Sequence, residues 1–217
     1  MYKTVVFDLD GTLLNTLTDL ADAGNRLCRK YGWPTHERQA YRYFVGNGIP
    51  KLVERLAPAD QRTPAVLEAA LADFKRDYAQ HLRDTTAPYP GIPEMLAKLK
   101  ANGVQLAVFS NKADALAKEV VKDYFGTQYF TIVRGQMTGV APKPAAEGTN
   151  ALLQALHADP ASTLYVGDSN VDVETAHNAN LPCCGAVWGF RTREELNAAG
   201  AEYLAENSDE LYDVIMK

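Results

Sequence analysis

Thr4-Val5-Val6-Phe7-Asp8-Leu9-Asp10-Gly11-Thr12 is the stretch from which the fold can be read. Its first four residues are β-branched or aromatic, with no polar alternation, as suits a strand buried on both faces. The run stops at a polar, glycine-containing segment, so the chain leaves the sheet at Asp8. The same pattern returns at 104–109 before Ser110-Asn111-Lys112, at 130–133, at 164–166 before Gly167-Asp168, and at 183–187 before Trp188-Gly189. Helical patterns lie between these runs, over 92–102, 113–125, 145–157 and 171–180, and Gly103 suits a helix stop. Strand and helix thus alternate from Tyr89 onward. This predicts an α/β fold: a doubly wound, Rossmann-like parallel sheet with helices on both faces.

Residues 14–86 break the alternation. Helices are predicted over 16–31, 37–45, 50–57 and 64–83, and no segment reads as a strand. The expected organisation is a core of residues 1–13 and 87–217 carrying an inserted all-helical domain, 14–86. Leu14-Asn15-Thr16 and Thr85-Thr86-Ala87-Pro88-Tyr89-Pro90 read as the linkers. Tyr41, Tyr43 and Phe44 are expected in the core of the insertion. His36, His81, His157 and His177 match no metal spacing and are expected at the surface.

The chain has 217 residues, 47% of them hydrophobic, enough for one sizeable core and a smaller unit. Its net charge of -5 gives no bulk attraction for nucleic acid or an anionic membrane, so neither is expected as a partner. An anionic substrate would have to meet local positive charge, from a metal or from particular lysines. Cys28, Cys183 and Cys184 are odd in number and lack ligand spacing, which suits free thiols in a reducing compartment. No secretory pattern precedes the first strand and no apolar run is long enough for a bilayer. A cytoplasmic protein, monomeric or homodimeric, is expected.

In an open parallel sheet, ligands bind beyond the carboxyl ends of the strands. Clusters containing Asp8 and Asp10, Ser110, Lys143, and Asp168 and Asp172 could therefore converge. Asp8 and Asp10, two apart at a strand end, tend to one side of the chain. Like charges set together need a cation or a shared proton. Mg2+, which prefers oxygen ligands, would serve, with Asp168 as a third carboxylate. Gly11 permits the tight turn, and the Thr12 hydroxyl with nearby backbone N–H groups could hold phosphate oxygens. A pair of loop carboxylates capping a turn is the plainer reading, but it explains one aspartate and not four.

Asp8-Leu9-Asp10-Gly11-Thr12 resembles the first motif of haloacid dehalogenase-like hydrolases. Ser110-Asn111-Lys112 resembles the second motif, Lys143 in Pro142-Lys143-Pro144 the third, and Gly167-Asp168-Ser169-Asn170-Val171-Asp172 the fourth, in the family's order. The helical insertion resembles the family's C1-type cap. The resemblance implies a magnesium-dependent phosphatase acting on a small phosphorylated metabolite through an aspartyl-phosphate. Asp8 is then the nucleophile. Asp10 is the acid and then the base, with its backbone carbonyl on the metal beside Asp8 and Asp168. Asp172 stands behind the ligands, holding Lys143 or a water on the metal. Ser110, Asn111 and Lys143 take the phosphoryl group, Lys143 also screening the nucleophile. Taken singly, Ser110 would be a helix N-cap, Lys143 an exposed lysine and Asn111 a loop-shaping residue.

Asn15-Thr16-Leu17-Thr18-Asp19-Leu20, Val45-Gly46-Asn47-Gly48, Trp188-Gly189-Phe190-Arg191 and Ala199-Gly200-Ala201-Glu202-Tyr203 are similar to the phosphoglycolate phosphatase subgroup. Gly46, Asn47 and Gly48 precede the helix predicted from Pro50, whose N-terminus could meet a substrate carboxylate; Lys51 and Arg42 are further candidates. A phosphosugar mutase or a pyrophosphatase would share this core. The family's mutases tend to carry a histidine early in the cap, and none lies between Thr12 and His36. A non-enzymatic phosphate-binding regulatory module would be expected to have lost one of Asp8, Asp10, Lys143 or Asp168, and all four are present.

Overall fold

The computed structural model describes residues Met1–Lys217. Val5, Val6 and Phe7 of the first strand, β1 (Thr4–Phe7), have no exposed surface, as a strand covered on both faces requires. The chain then forms β2 (Gln105–Ala113), β3 (Phe130–Gln136), β4 (Thr163–Gly167), β5 (Cys183–Ala186) and β6 (Tyr203–Ala205). All pair in parallel, in the order β3-β2-β1-β4-β5-β6. The chain runs outward from β1 in one direction, returns, and builds outward in the other. The carboxyl end of β1 therefore lies between those of β2 and β4, at the crevice where such sheets bind ligands.

Two compact units divide the chain: Met1–Leu14 with Pro88–Lys217, and Asn15–Ala87. The second unit is helical, with α1 (Leu17–Tyr31), α2 (Arg38–Phe44), α3 (Ile49–Leu56) and α4 (Pro64–His81). Its core holds Tyr41, Phe74 and Tyr78, each fully buried. Gly24 of α1 leaves the space that the Tyr41 ring fills. Tyr43, expected in this core, is 51% exposed, because on α2 it lies on the face opposite Tyr41. His36, expected at the surface, is half-buried and edge-on to Tyr41 and Phe44, and its Nε2 is buried without a partner. Asn25 fixes it by bonding both its backbone N–H and its carbonyl, at 2.9 Å each.

Buried Asp19, near the start of α1, accepts from the backbone N–H and hydroxyl of both Thr85 and Thr86. One carboxylate thereby ties the two ends of the helical unit together. Leu14–Asn15 and Ala87–Pro88 pair as two-residue strands where the chain passes between the units. These strands fall where the sequence suggested only linkers; two residues carry no periodicity to read.

The core unit adds α5 (Ile92–Ala101), α6 (Asp114–Phe125), α7 (Ala146–Leu156), α8 (Asn170–Asn178), α9 (Arg193–Ala198) and α10 (Ser208–Met216). Val6, Ala107 and Tyr165 are register partners across β1, β2 and β4, so their side chains share one face. Leu152, Leu153 and Leu156 of α7, Val173 and Ala176 of α8, and Leu196 of α9 pack on them. Strand β6 and helices α9 and α10 extend the alternation beyond the segments the sequence marked. No helix is long and apolar enough to cross a membrane.

Candidate active site

Strand β1 delivers Asp8 at its carboxyl end, where the chain turns sharply. The Leu9 carbonyl accepts from the amides of Thr12, Leu13 and Leu14. Gly11 sits at φ +91°, in the region glycine favours. The stronger demand on Gly11 is spatial: a Cβ there would collide with the Asp168 carboxylate. Gly189 is constrained from the other side, since its Cβ would strike the Asp168 Cβ. Two glycines thus let the loops after β1 and β5 close on the side chain that β4 presents.

Asp168 is 1% exposed and held at both oxygens. The Thr12 hydroxyl donates to Oδ1 at 3.2 Å, and the Phe190 N–H donates to Oδ2 at 2.7 Å. Thr12, expected on phosphate oxygens, therefore spends its hydroxyl on Asp168, while its carbonyl accepts from Trp188 Nε1 at 3.0 Å. Trp188, Gly189 and Phe190 entered the sequence reading only as a likeness to a subgroup. Their part here is to fix Asp168 and the turn after β1.

Asp172 occupies the third position of α8 and closes a local cap: its Oδ2 accepts from the Ser169 N–H at 3.1 Å and hydroxyl at 2.7 Å. Its Oδ1 lies 2.7 Å from Lys143 Nζ. Lys143, 3% exposed, is not the loop lysine its neighbours alone suggest. Its ammonium also reaches Asp8 Oδ1 at 2.9 Å and the Tyr165 hydroxyl at 3.3 Å. Asn111, expected among the phosphate binders, clasps the Lys143 main chain: Oδ1 accepts its N–H at 2.9 Å and Nδ2 donates to its carbonyl at 3.2 Å. This is the loop-shaping role. Ser110 is buried, its Oγ accepting from the Lys112 N–H at 3.2 Å.

Ser110, Asn111 and Lys112 belong to β2 rather than to a loop. Pairing with β3 is irregular between Phe109 and Ala113, a bulge that re-aims these side chains. Lys112 Nζ reaches Asp10 at 3.1 Å and 3.3 Å from its two carboxylate oxygens. The structure thus brings Asp8, Asp10, Gly11, Thr12, Ser110, Asn111, Lys143, Asp168 and Asp172 together. Gly46, Asn47 and Gly48 lie in the other unit, between α2 and α3.

Carboxylate oxygens of Asp8, Asp168 and Asp172 all lie within 4.8 Å of one another. Burial raises the Asp8 carboxyl to about 7, with the Lys143 ammonium opposing and the Asp172 charge adding to the rise. Burial, then Asp172 and Asp8, push Asp168 well above the usual carboxylate range. Burial alone would lower Lys143; Asp172 and Asp8 outweigh it and hold the ammonium well above its ordinary value. Lys143 Nζ stands 2.9 Å from Asp8 Oδ1, in ion-pair range, and no other protein group meets that buried oxygen. Three carboxylates against one ammonium is an oxygen donor set short of a cation.

A model of the haloacid dehalogenase-like hydrolases matches residues 5–186. A phosphoglycolate phosphatase of Chromobacterium violaceum is 31% identical, over 98% of this chain and 96% of its own. One of Cupriavidus necator is 32% identical, over 95% and 90%. The crystal structure of a candidate phosphoglycolate phosphatase from Lactobacillus delbrueckii superposes with a TM-score of 0.93 at 28% identity, covering 99% and 98% of the two chains.

Proposed function

The chain belongs to the haloacid dehalogenase-like hydrolases and is a phosphoric monoester hydrolase, and from that premise we propose that it hydrolyses 2-phosphoglycolate through an aspartyl-phosphate on Asp8. The observation that carries this reading is the Asp8 carboxylate: buried at a strand end, with an oxygen that no protein group meets except the Lys143 ammonium. A carboxylate kept for structure would have its oxygens bonded, as those of Asp19 are.

Asp8 and Asp168, with the Asp10 main-chain carbonyl, would hold Mg2+. The ion would supply the charge that keeps Asp8 ionised and neutralises phosphoryl oxygens. An Asp8 carboxylate oxygen attacks phosphorus, and the bond to the leaving oxygen breaks. Asp10 gives its proton to that oxygen. Lys143 and Ser110 bind the phosphoryl oxygens, and Lys143 partly screens the negative charge of the nucleophile. Asp10, now a carboxylate, takes a proton from water as the water attacks phosphorus. The Asp8–phosphorus bond breaks, returning Asp8 and releasing inorganic phosphate. The work of this chain is positioning and charge neutralisation.

Recognition of the leaving group is assigned to Gly46, Asn47 and Gly48. Arg55 braces that segment by donating to the Phe44 carbonyl at 2.8 Å and to Asn47 Oδ1 at 2.9 Å. Gly48, at φ +82°, stands at the N-terminus of α3 with proline in the first turn. This helix end would receive a carboxylate. Lys51, an earlier candidate for that anion, pairs instead with Glu54 at 2.8 Å. The test is a screen with magnesium of 2-phosphoglycolate, hexose phosphates, nucleotides and pyrophosphate. The highest kcat/KM is expected on 2-phosphoglycolate; a preference of tenfold or more for any other ester would overturn the substrate assignment.

A further inference from the structure

We propose that Lys112 is a positioning residue that holds Asp10 in place for the water-attack half of the reaction, an inference that rests on the acid–base role assigned to Asp10 above. The side chain of Lys112 is 2% exposed, and that of Asp10 is 20% exposed. The ammonium spans both carboxylate oxygens, at 3.1 Å and 3.3 Å, which fixes the direction of the carboxylate as well as its place. A lysine stem this deeply buried has lost its rotamer freedom, so it offers a rigid anchor for a partner that is itself partly open to solvent.

The two residues belong to adjacent strands of the sheet. Asp10 follows β1 and Lys112 is the last residue but one of β2, and these two strands pair in register from Thr4 with Gln105 to Phe7 with Val108. The pairing of β2 with β3 is irregular between Phe109 and Ala113, the segment that presents Lys112 to Asp10. The pair therefore ties the turn that carries Asp8 and Asp10 to the segment that carries Ser110.

The chemistry says which half of the reaction this favours. In the first half, Asp10 hands over a proton and leaves as a carboxylate. In the second, it must accept a proton from a water aligned with phosphorus, while the electrons of the phosphorus–Asp8 bond return to Asp8. An ammonium on both oxygens orients the charged form that begins this second step. General-base catalysis contributes on the order of 10²–10⁴-fold and depends on geometry, so a loosened base loses a substantial part of it.

Rapid-quench kinetics with p-nitrophenyl phosphate and magnesium separate the halves, because nitrophenolate leaves without a proton. Lys112→Met is expected to keep the first-turnover burst within about threefold, to slow steady-state turnover by about 10- to 100-fold, and to accumulate phospho-enzyme. In an Asp10→Asn background the same substitution should change nothing further, because Lys112 acts through Asp10. Lys112→Arg, which keeps a cation, should recover part of the steady-state rate. Burst and steady state falling together in Lys112→Met, full additivity with Asp10→Asn, or Lys112→Arg as slow as Lys112→Met would each overturn the proposal. Wild-type protein that turns over without any phospho-enzyme would overturn the Asp8 reading instead, and this inference with it.

Discussion

Replacing Asp8 with Asn tests the charge balance of the site without relying on turnover. Asn has the shape of the carboxyl group and no charge. The folded-state value of Asp8 is raised to about 7, against about 3.9 for an unfolded aspartate. A raised value means that the fold favours the protonated form. The contribution is therefore fully present below about pH 4 and is lost as pH rises through about 7. At pH 8 the gap of about 3 units corresponds to at most about 4 kcal/mol at 1.36 kcal/mol each. Sharing of charge with Lys143 and Asp172 makes on the order of 2–4 kcal/mol a fair expectation. At pH 4 the same arithmetic leaves less than about 1 kcal/mol. For a chain of this size, about 2–4 °C accompanies each kcal/mol. Metal-free Asp8→Asn should thus melt about 5–15 °C above metal-free wild type at pH 8, with the gap closing toward pH 4. Magnesium should narrow it at pH 8 by binding folded wild type more tightly. Thermal melts from pH 4 to pH 8, in chelator and in magnesium, supply the measurement. A metal-free Asp8→Asn protein that melts at or below wild type at pH 8, or an offset independent of pH, would refute the argument that burial and the neighbouring carboxylates disfavour a charged Asp8.

Asp19→Ala should destabilise the helical unit by about 2–4 kcal/mol, because Thr85 and the buried Thr86 lose the acceptor of four hydrogen bonds; an unfolding free energy from denaturant melts within about 0.5 kcal/mol of wild type, the range of an ordinary surface substitution, would remove Asp19 as the tie between the ends of that unit. Gly48→Ala should raise KM for 2-phosphoglycolate by about tenfold, roughly 1.4 kcal/mol, through strain at a positive φ in front of α3, while p-nitrophenyl phosphate is spared. Equal losses on the two substrates would show that this segment does not read the leaving group.

The strands of the core were legible because each is a short apolar run ended by polar residues, and burial on both faces demands that pattern. Strand β6, three residues long with Tyr203 39% exposed, offers no such run. The extension of β2 through Ser110, Asn111 and Lys112 was hidden because polar residues at a strand end look like a loop. Here the Asn111 and Lys112 side chains face partners that the sheet brings from elsewhere, while Ser110 accepts from the Lys112 N–H two residues on. What the sequence concealed at the site is of the same kind. Thr12 and Asp168 are 156 positions apart, and Phe190 reaches Asp168 through a backbone N–H that no side chain announces. Tyr165 reads as strand core, and it is, yet its hydroxyl also stands 3.3 Å from the Lys143 ammonium.

Asp172 shows how a local rule and a distant one can select the same residue. A serine followed three positions later by a carboxylate is a helix-start signature, and in α8 Ser169 and Asp172 bond as that signature requires. One carboxylate oxygen satisfies the cap. The other is left aimed at Lys143, and there it fixes the ammonium that stands beside Asp8. Gly167 makes the arrangement possible, since a Cβ at that position would collide with the Asp172 side chain. The helix cap therefore orients the lysine, and the lysine in turn tempers the charge of Asp8. Substituting Asp172 would disturb a helix start and an active-site cation together, so the two effects separate only when the Ser169 half of the cap is varied alone.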